Sequence, residues 1–273
     1  MNRRRLSAAL GASALAFALV SCSSAEATTE GSLPGLTEAG KLTVCSSDSN
    51  YAPMYSMQDG EFTGVEPSLT EALAERLGLE ASFTRMAFAG VIPAIQSDRC
   101  DLAMGAFFLT PERLATMKGL PYLAANVALI FPEGNSYAEP EDLAGKTVAV
   151  QRGSVQASTV EAVSADLEAA GEEPITVQSY DDPVTAINAV MNGKADAAGE
   201  TEIFASNFFS EERAGLDFEP TFFPTGSVTG FLYKNGELED ALTAAMDELR
   251  TDGTLAGILE EFNLSPESIS DGK

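Results

Sequence analysis

The fold is decided by the stretch Asp142-Leu-Ala-Gly-Lys-Thr-Val-Ala-Val-Gln-Arg-Gly-Ser154. Its apolar, β-branched run at 147–151 predicts a buried strand, and the closing Gly-Ser pair predicts the turn into a long helix that ends at Gly171. The same order occurs earlier in the chain, with a strand at 42–45 and a helix at 68–77. Two segments of similar size that each alternate strands with helices predict two α/β lobes rather than one sheet.

Two helix starts are indicated by capping patterns. Ser68 and Glu71 have the spacing of a capping box, and Gly78 marks the end of the same helix. Thr110 followed by Pro111 predicts another start, because threonine caps a helix and proline is tolerated at the first helical position.

The N-terminus has the pattern of an export signal. Three arginines at 3–5 precede the uncharged apolar run 6–20, which is too short to span a bilayer permanently. The run ends in Leu-Val-Ser-Cys22, which resembles a bacterial lipobox and implies cleavage before Cys22 and a lipid on its thiol. The alternative is an ordinary signal peptide cleaved nearby. We expect residues 1–21 to be a signal peptide and residues 22–35, which offer little that packs, to be a flexible tether.

The charge of the chain disfavours nucleic acid as a partner. The 16 basic and 41 acidic residues give a net charge of −25, and loss of the three arginines within residues 1–21 leaves −28. Such a charge repels nucleic acid and anionic lipid headgroups. We therefore expect the body to reach the membrane only through its lipid anchor.

The chain contains no histidine. That absence excludes Ser-His-Asp and Cys-His nucleophiles and metal sites that need histidine. An enzyme would have to use carboxylates, lysine or tyrosine, and we expect no catalytic residue, metal or cofactor. Besides Cys22 only Cys45 and Cys100 remain; in an exported protein they form either a disulfide or two buried thiols, and the sequence leaves both open.

Several short segments, taken in order, resemble one family over about residues 36–262. They are Gly40-Lys-Leu-Thr-Val, Asp48-Ser-Asn-Tyr-Ala-Pro, Phe62-Thr-Gly, Phe88-Ala-Gly-Val-Ile-Pro-Ala-Ile, Cys100-Asp-Leu-Ala-Met-Gly, Thr110-Pro-Glu-Arg, Leu120-Pro-Tyr, the stretch 142–154 and Gly193-Lys-Ala-Asp-Ala. The family is the polar amino-acid-binding proteins, family 3, of ABC importers.

The resemblance implies a two-lobe periplasmic-binding-protein fold. Each lobe is a mostly parallel sheet flanked by helices, and two crossing strands form the hinge. We expect lobe 1 to comprise residues 36–125 and 227–273, and lobe 2 to comprise residues 126–226.

Arg113 and Ser154 are the candidate contacts for an anion. Arg113 lies in the first turn of a helix, where free N–H groups already favour an anion, and its guanidinium grips a carboxylate in two places. The resemblance implies that it holds the ligand's α-carboxylate; the alternative is an ion pair with Glu112 or Asp101. Ser154 begins a helix in the other lobe and is either a second anion contact, a simple N-cap, or both.

The resemblance also implies that Tyr51 and Phe88 enclose the aliphatic part of the ligand, the alternative being ordinary core packing. Asp48 takes the position at which binders of basic amino acids hold the side-chain cation, or is a solvated turn residue. The remaining positions carried over from the family are Asn50, Gly105, Ala106, Gln151 and Val155.

The sequence departs from the family at the ammonium site. Thr201 stands where the family has aspartate, so we choose the neighbouring Glu200 as the cation contact and keep Thr201 as the alternative. Phe108 stands where serine or threonine is usual, which removes a hydroxyl and makes the pocket more apolar.

The resemblance implies a lipid-anchored, extracytoplasmic component of an ABC importer that binds a small amino acid or similar zwitterion and delivers it to a permease. We expect a monomer with no enzymatic activity. The alternatives are an exported dehydratase-type enzyme on the same scaffold and a sensory binding protein that signals through a separate receptor.

Overall fold

The computed structural model describes residues 33–210 and 215–272. The predicted signal peptide 1–21 and the lipidation site Cys22 lie outside the described residues. Leu33 packs against the core, and the carbonyl of Gly35 accepts a hydrogen bond from Asn235 Nδ2 at 2.7 Å. The predicted tether, residues 22–35, therefore extends too far toward the C-terminus, because residues 33–35 belong to the folded body.

The first lobe contains three parallel strands in the order β4, β1, β5. A short hairpin, β2 and β3, and two helices accompany them. The elements are β1 (Lys41–Ser47), β2 (Ser56–Gln58), β3 (Glu61–Thr63), α1 (Val65–Arg76), β4 (Glu80–Met86), α2 (Phe88–Gln96), β5 (Leu102–Met104) and the short α3 (Pro111–Leu114).

The second lobe repeats the pattern with three parallel strands in the order β9, β7, β8. Its elements, placed after the long strand β6 (Lys118–Pro132), are β7 (Thr147–Gln151), α4 (Val155–Ala170), β8 (Thr176–Tyr180), α5 (Pro183–Met191), β9 (Ala197–Thr201) and α6 (Glu202–Phe209). The strand and helix read from the stretch 142–154 and the residues after it are confirmed.

Two long strands, β6 and β10 (Leu216–Tyr233), join the lobes. They pair with each other antiparallel from Leu216 opposite Pro132 to Tyr233 opposite Lys118. One end of β10 borders β5, and the other end of β6 borders β9. Eight of the ten described strands, all but β2 and β3, therefore form one hydrogen-bonded sheet in the order β4-β1-β5-β10-β6-β9-β7-β8. The prediction of two separate sheets is corrected in this respect, because the crossing strands carry the hydrogen bonding from one lobe to the other.

The pairing of the crossing strands is interrupted between the lobes. The register shifts between Glu219 and Phe223, between Phe223 and Ser227, and again at Thr229. Such bulges leave residues unpaired and bend the strand locally. The joint between the lobes is thus the least regular part of the sheet.

Helix α1 begins earlier than its capping pattern predicts. It starts at Val65 after Gly64, whose φ of 126° is open to glycine, so Ser68 and Glu71 lie inside the helix rather than at its cap. Pro67 is tolerated because the first turn has no intrahelical N–H bonds to lose.

The C-terminal helices α7 (Glu239–Thr251) and α8 (Thr254–Glu261) pack against α1 of the first lobe. Cys45 on β1 and Cys100 just before β5 form a disulfide with a Cα–Cα distance of 5.6 Å. Of the helices within residues 33–210 and 215–272, none combines the length and the apolar character needed to cross a bilayer.

Candidate ligand-binding site

The candidate site lies where the carboxyl ends of parallel strands from both lobes meet. Segments that follow β1, β5 and β7 enclose a small cavity, in keeping with the usual place of ligand sites in α/β sheets. Its volume is about 10 Å³, room for about one water molecule. The lining residues are Tyr51, Phe88, Gly105, Ala106, Phe108, Arg113, Gln151, Ser154, Val155 and Gln156.

A second, larger cavity of about 790 Å³ adjoins the first. The two share Arg113, Ser154 and Val155 among their walls. Helices α2 and α3 of the first lobe form one side of the larger cavity, and the first turns of α4 form the other. The guanidinium of Arg113 therefore borders both the inner cavity and the wider space outside it.

Arg113 faces the gap between the lobes, not an acid of its own lobe. Its Nη1 donates to the Phe108 carbonyl at 2.9 Å, and its Nη2 donates across the gap to the Gly153 carbonyl at 3.2 Å. Within the described residues, no carboxylate forms a salt bridge with it. Asp101, one of the two acids considered as its partner, instead accepts hydrogen bonds from Thr37 and Thr43.

Two contacts hold Arg113 in place: the cap at the start of α3 and the aromatic ring of Phe107. The Thr110 hydroxyl caps α3 by accepting from the Arg113 amide at 3.3 Å, and the Arg113 Cζ atom lies 5.2 Å from the centre of the Phe107 ring. Burial lowers the pKa of Arg113 to about 10, so the guanidinium stays charged at neutral pH. Two of its five N–H donors go to the two carbonyls, and the others are available to an anion.

Ser154 caps α4 from the second lobe. Its Oγ accepts from the Ala157 amide at 3.1 Å, as the N-cap alternative predicts. The N-terminus of this 16-residue helix lies beside Arg113 on the cavity wall. Unsatisfied amides of a first helical turn favour an anion, so the cap and an anion contact are compatible.

Glu200 is buried at the end of β9 and contacts Tyr51 from the opposite lobe. The Tyr51 hydroxyl donates to Glu200 Oε2 at 3.0 Å and lies 2.8 Å from the Thr201 hydroxyl. Within the described residues, the other oxygen, Oε1, has no hydrogen-bond partner. Burial raises the pKa of Glu200 to about 8, with the Tyr51 hydroxyl opposing that shift. A cationic group placed here would satisfy Oε1 and favour the ionised carboxylate.

The two aromatic residues predicted to enclose a ligand do not stack on one another. Tyr51 stacks on Phe204 of α6, with ring centres 4.5 Å apart and an interplanar angle of 15°. Phe88 stacks on Phe107 at 4.9 Å. Tyr51 also stacks on Tyr55, with ring centres 5.6 Å apart. Both Tyr51 and Phe88 line the inner cavity, yet each ring already has an aromatic partner.

Four predicted site residues do not line the inner cavity: Asp48 and Asn50 are exposed, whereas Glu200 and Thr201 are buried against the Tyr51 hydroxyl. Between Asp48 and Asn50, buried Ser49 accepts a hydrogen bond across the lobes from Gln151 Nε2 at 3.3 Å. Sequence reasoning missed Phe204 and Gln156. A search for aromatic residues just after strand ends would have found Phe204, which follows β9.

No group of acidic or cysteine residues within residues 33–210 and 215–272 has the arrangement of a metal site. The site brings together a guanidinium and a helix start that line the inner cavity, aromatic rings beside them, and a buried carboxyl that contacts Tyr51.

Comparison with known proteins identifies the class of this chain. Residues 42–265 match the bacterial extracellular solute-binding proteins, family 3. The chain belongs to that family, which confirms the resemblance found in its sequence.

Individual relatives support the same class. A probable histidine-binding protein of Campylobacter jejuni is 28% identical over 222 residues, which are 79% of this chain and 82% of that protein. Two structures of an ancestral arginine-binding protein are similar as well. The one bound to arginine has a TM-score of 0.74 at 28% identity and covers 82% of this chain and 98% of its own. The one bound to glutamine has a TM-score of 0.73 at 29% identity and covers 83% of this chain and 99% of its own. The two-lobe fold is thereby confirmed.

Proposed function

We propose that this protein captures a small amino acid or similar zwitterion between its lobes and delivers it to the permease of an ABC importer. The observation that carries the proposal is the presence of unlike groups around Tyr51, whose ring lines the inner cavity. Arg113 and the start of α4 line the same cavity and form an anion-binding side. Glu200 does not line the cavity but contacts the Tyr51 hydroxyl, and its Oε1 has no partner among the described residues. An α-carboxylate and an α-ammonium are complementary to these two sides.

Ligand binding requires the lobes to separate. An inner cavity of about 10 Å³ is too small for any amino acid, and contacts across the gap join Arg113 to Gly153, Gln151 to Ser49 and Tyr51 to Glu200. We assign residues 36–125 and 227–273 to lobe 1 and residues 126–226 to lobe 2, with rotation about the irregular part of β6 and β10. The larger cavity beside Arg113 is the route from solvent.

The relatives named above are a probable histidine-binding protein and an arginine-binding protein seen with arginine and with glutamine, which favours an amino acid with a nitrogen-containing side chain. Asp48, exposed beside the gap, is free to meet a basic side chain when the lobes open. The aromatic rings of Tyr51, Phe88 and Phe108 favour the aliphatic part of such a ligand.

The cellular setting is proposed from the N-terminus. A signal peptide at 1–21 and a lipid on Cys22 place the protein outside the cytoplasm, anchored to the membrane through a short tether. The net charge of −28 that remains after removal of residues 1–21 keeps the body soluble and away from anionic lipid. We propose that it acts as a monomer and catalyses no reaction.

The test is a thermal-shift screen of the purified protein against the natural amino acids. A ligand that binds only the folded state raises the melting temperature; at a hundred times its Kd it adds about 2.7 kcal/mol. The N-acetylated and the carboxyl-amidated forms of the best ligand are the matched controls, since each removes one charge of the zwitterion. We expect both to lose the shift. A screen in which no zwitterion raises the melting temperature would refute the proposal.

A further inference from the structure

The carboxylate of Glu66 holds the backbone that forms the floor of the inner cavity. Glu66 lies in the first turn of α1 and is fully buried. Its Oε2 accepts from the Ala106 amide at 2.9 Å, and its Oε1 accepts from the Gly105 amide at 3.3 Å and from the Tyr122 hydroxyl at 2.7 Å. All three partners are donors, which suits an ionised carboxylate.

The held turn, residues 105–108, leads from β5 to the helix of Arg113. Ala106 has a φ of 50°, a conformation that costs energy outside glycine and persists only where its surroundings enforce it. A Cβ on Gly105 would lie 2.8 Å from the Phe107 ring, so the turn already approaches the rings closely. At its far end the Phe108 carbonyl accepts from Arg113 Nη1 at 2.9 Å.

We propose that Glu66 is a positioning residue for ligand binding: its carboxylate fixes the turn at 105–108, and through the Phe108 carbonyl it sets the direction of the Arg113 guanidinium. Glu66 does not line the cavity and acts only through this backbone. The inference rests on the proposed function, because the group that it positions is the proposed anion contact.

Two variants distinguish a positioning role of the Glu66 carboxylate from a role in packing alone. Glu66→Gln keeps the volume but replaces one acceptor by an NH₂ group that faces donors. Glu66→Asp keeps both acceptors and leaves a small void. If the carboxylate positions the turn, Glu66→Gln should weaken binding of the best amino acid by about tenfold or more, and Glu66→Asp should restore most of the affinity. A packing role predicts the reverse order.

Calorimetric affinities are measured with the amino acid that most stabilises the wild-type protein, and unliganded melting temperatures are recorded for each variant. Affinity of Glu66→Gln within twofold of wild type, or weaker binding by Glu66→Asp than by Glu66→Gln, would overturn the inference. Failure of the wild-type protein to bind any amino acid would instead overturn the proposed function, so the two failures are distinguishable.

A second measurement leaves Glu66 in place, in case its variants fold poorly. Tyr122→Phe removes one donor from Glu66 and leaves both amide contacts. Burial raises the pKa of Glu66 to about 7, and the Tyr122 hydroxyl opposes that shift. The other titratable groups near Glu66 are Tyr122 itself and Tyr55, and burial raises the pKa of both, so they stay neutral over pH 6–8.

Affinity should therefore fall as the pH is lowered through about 7, and the midpoint should lie at higher pH in Tyr122→Phe than in the wild-type protein. Glu200, whose pKa is raised to about 8, titrates in the same window but does not contact Tyr122, so it cancels from the comparison. Equal midpoints, or affinity that rises as the pH falls, would overturn the inference.

Discussion

Replacing Arg113 by alanine is the sharpest test of the anion-binding side. The substitution removes the guanidinium from both cavities together with its hydrogen bonds to Phe108 and Gly153. A carboxylate gripped in two places makes two hydrogen bonds to a charged donor, each worth about 1.5 to 3 kcal/mol. The expected loss of about 3 to 6 kcal/mol corresponds to about 150- to 25,000-fold weaker binding.

The assay is isothermal titration with the amino acid found by the thermal screen. Arg152→Ala is the matched control, because Arg152 is also an arginine near the start of α4 but is exposed and paired with Asp181 at 3.1 Å. We expect the control to bind within about twofold of wild type, as surface ion pairs contribute about 0 to 1 kcal/mol. An Arg113→Ala protein that melts normally without ligand and binds within threefold of the control would refute the reasoning.

The remaining predictions concern the cation side, the disulfide and the anchor. Glu200→Gln should weaken binding of the zwitterion and reduce the proton release that accompanies it to the contribution of Glu66, measured by calorimetry in two buffers of different ionisation enthalpy; unchanged release would contradict the role of Glu200. Replacing Cys45 and Cys100 by serine removes a disulfide between residues that lie 55 apart in sequence. It should lower the free energy of unfolding in urea by about 3 to 4 kcal/mol. A urea midpoint equal to that of the oxidised wild-type protein would contradict this prediction. Cys22→Ala should move the protein from the membrane fraction to the soluble fraction and remove labelling by radioactive palmitate, and continued labelling would disprove lipidation at Cys22.

The pH dependence of folding stability provides a further test of the burial of Glu200. The pKa of Glu200 rises from 4.5 to about 8 on folding. The folded state therefore binds its proton more tightly than the unfolded chain, and this contribution to stability is full below pH 4.5 and is lost as the pH rises through about 8. Wild type should lose unfolding free energy relative to Glu200→Gln over that window, and parallel curves would contradict the burial argument.

The strands, the helices and the family could be predicted because short-range sequence patterns indicate each of them. The run at 147–151 and the cap at Ser154 are short-range signals, and both form as expected. The start of α1 could not be read from its capping pattern, because Ser68 and Glu71 are polar residues that suit several positions in a first turn. Gly64, whose left-handed conformation sets the true start, looks like any other glycine in the sequence.

The sequence predicted part of the membership of the candidate site but not the contacts within it: Asp48 and Asn50, for example, do not line the cavity. Arg113, Ser154 and Phe88 line the cavity, as their positions in the motifs predict. The stacking of Tyr51 on Phe204 joins residues that are far apart in the chain, and no local pattern encodes such a pair. For the same reason, the contacts of Glu66 with the turn at 105–108 became visible only in three dimensions.

The two sides of the site differ in what a ligand must displace. On the anion side, Arg113 donates to two backbone carbonyls, and only its contact with Gly153 crosses between the lobes, so a carboxylate replaces at most that one hydrogen bond. On the cation side, the Tyr51 hydroxyl already occupies Glu200 Oε2, while burial favours the neutral carboxyl. An ammonium group gains full benefit only when Glu200 ionises, so its binding is coupled to loss of a proton. Affinity should accordingly depend on pH through Glu200 on the cation side and through Glu66 behind the anion side, whereas the Arg113 guanidinium itself stays charged throughout the neutral range.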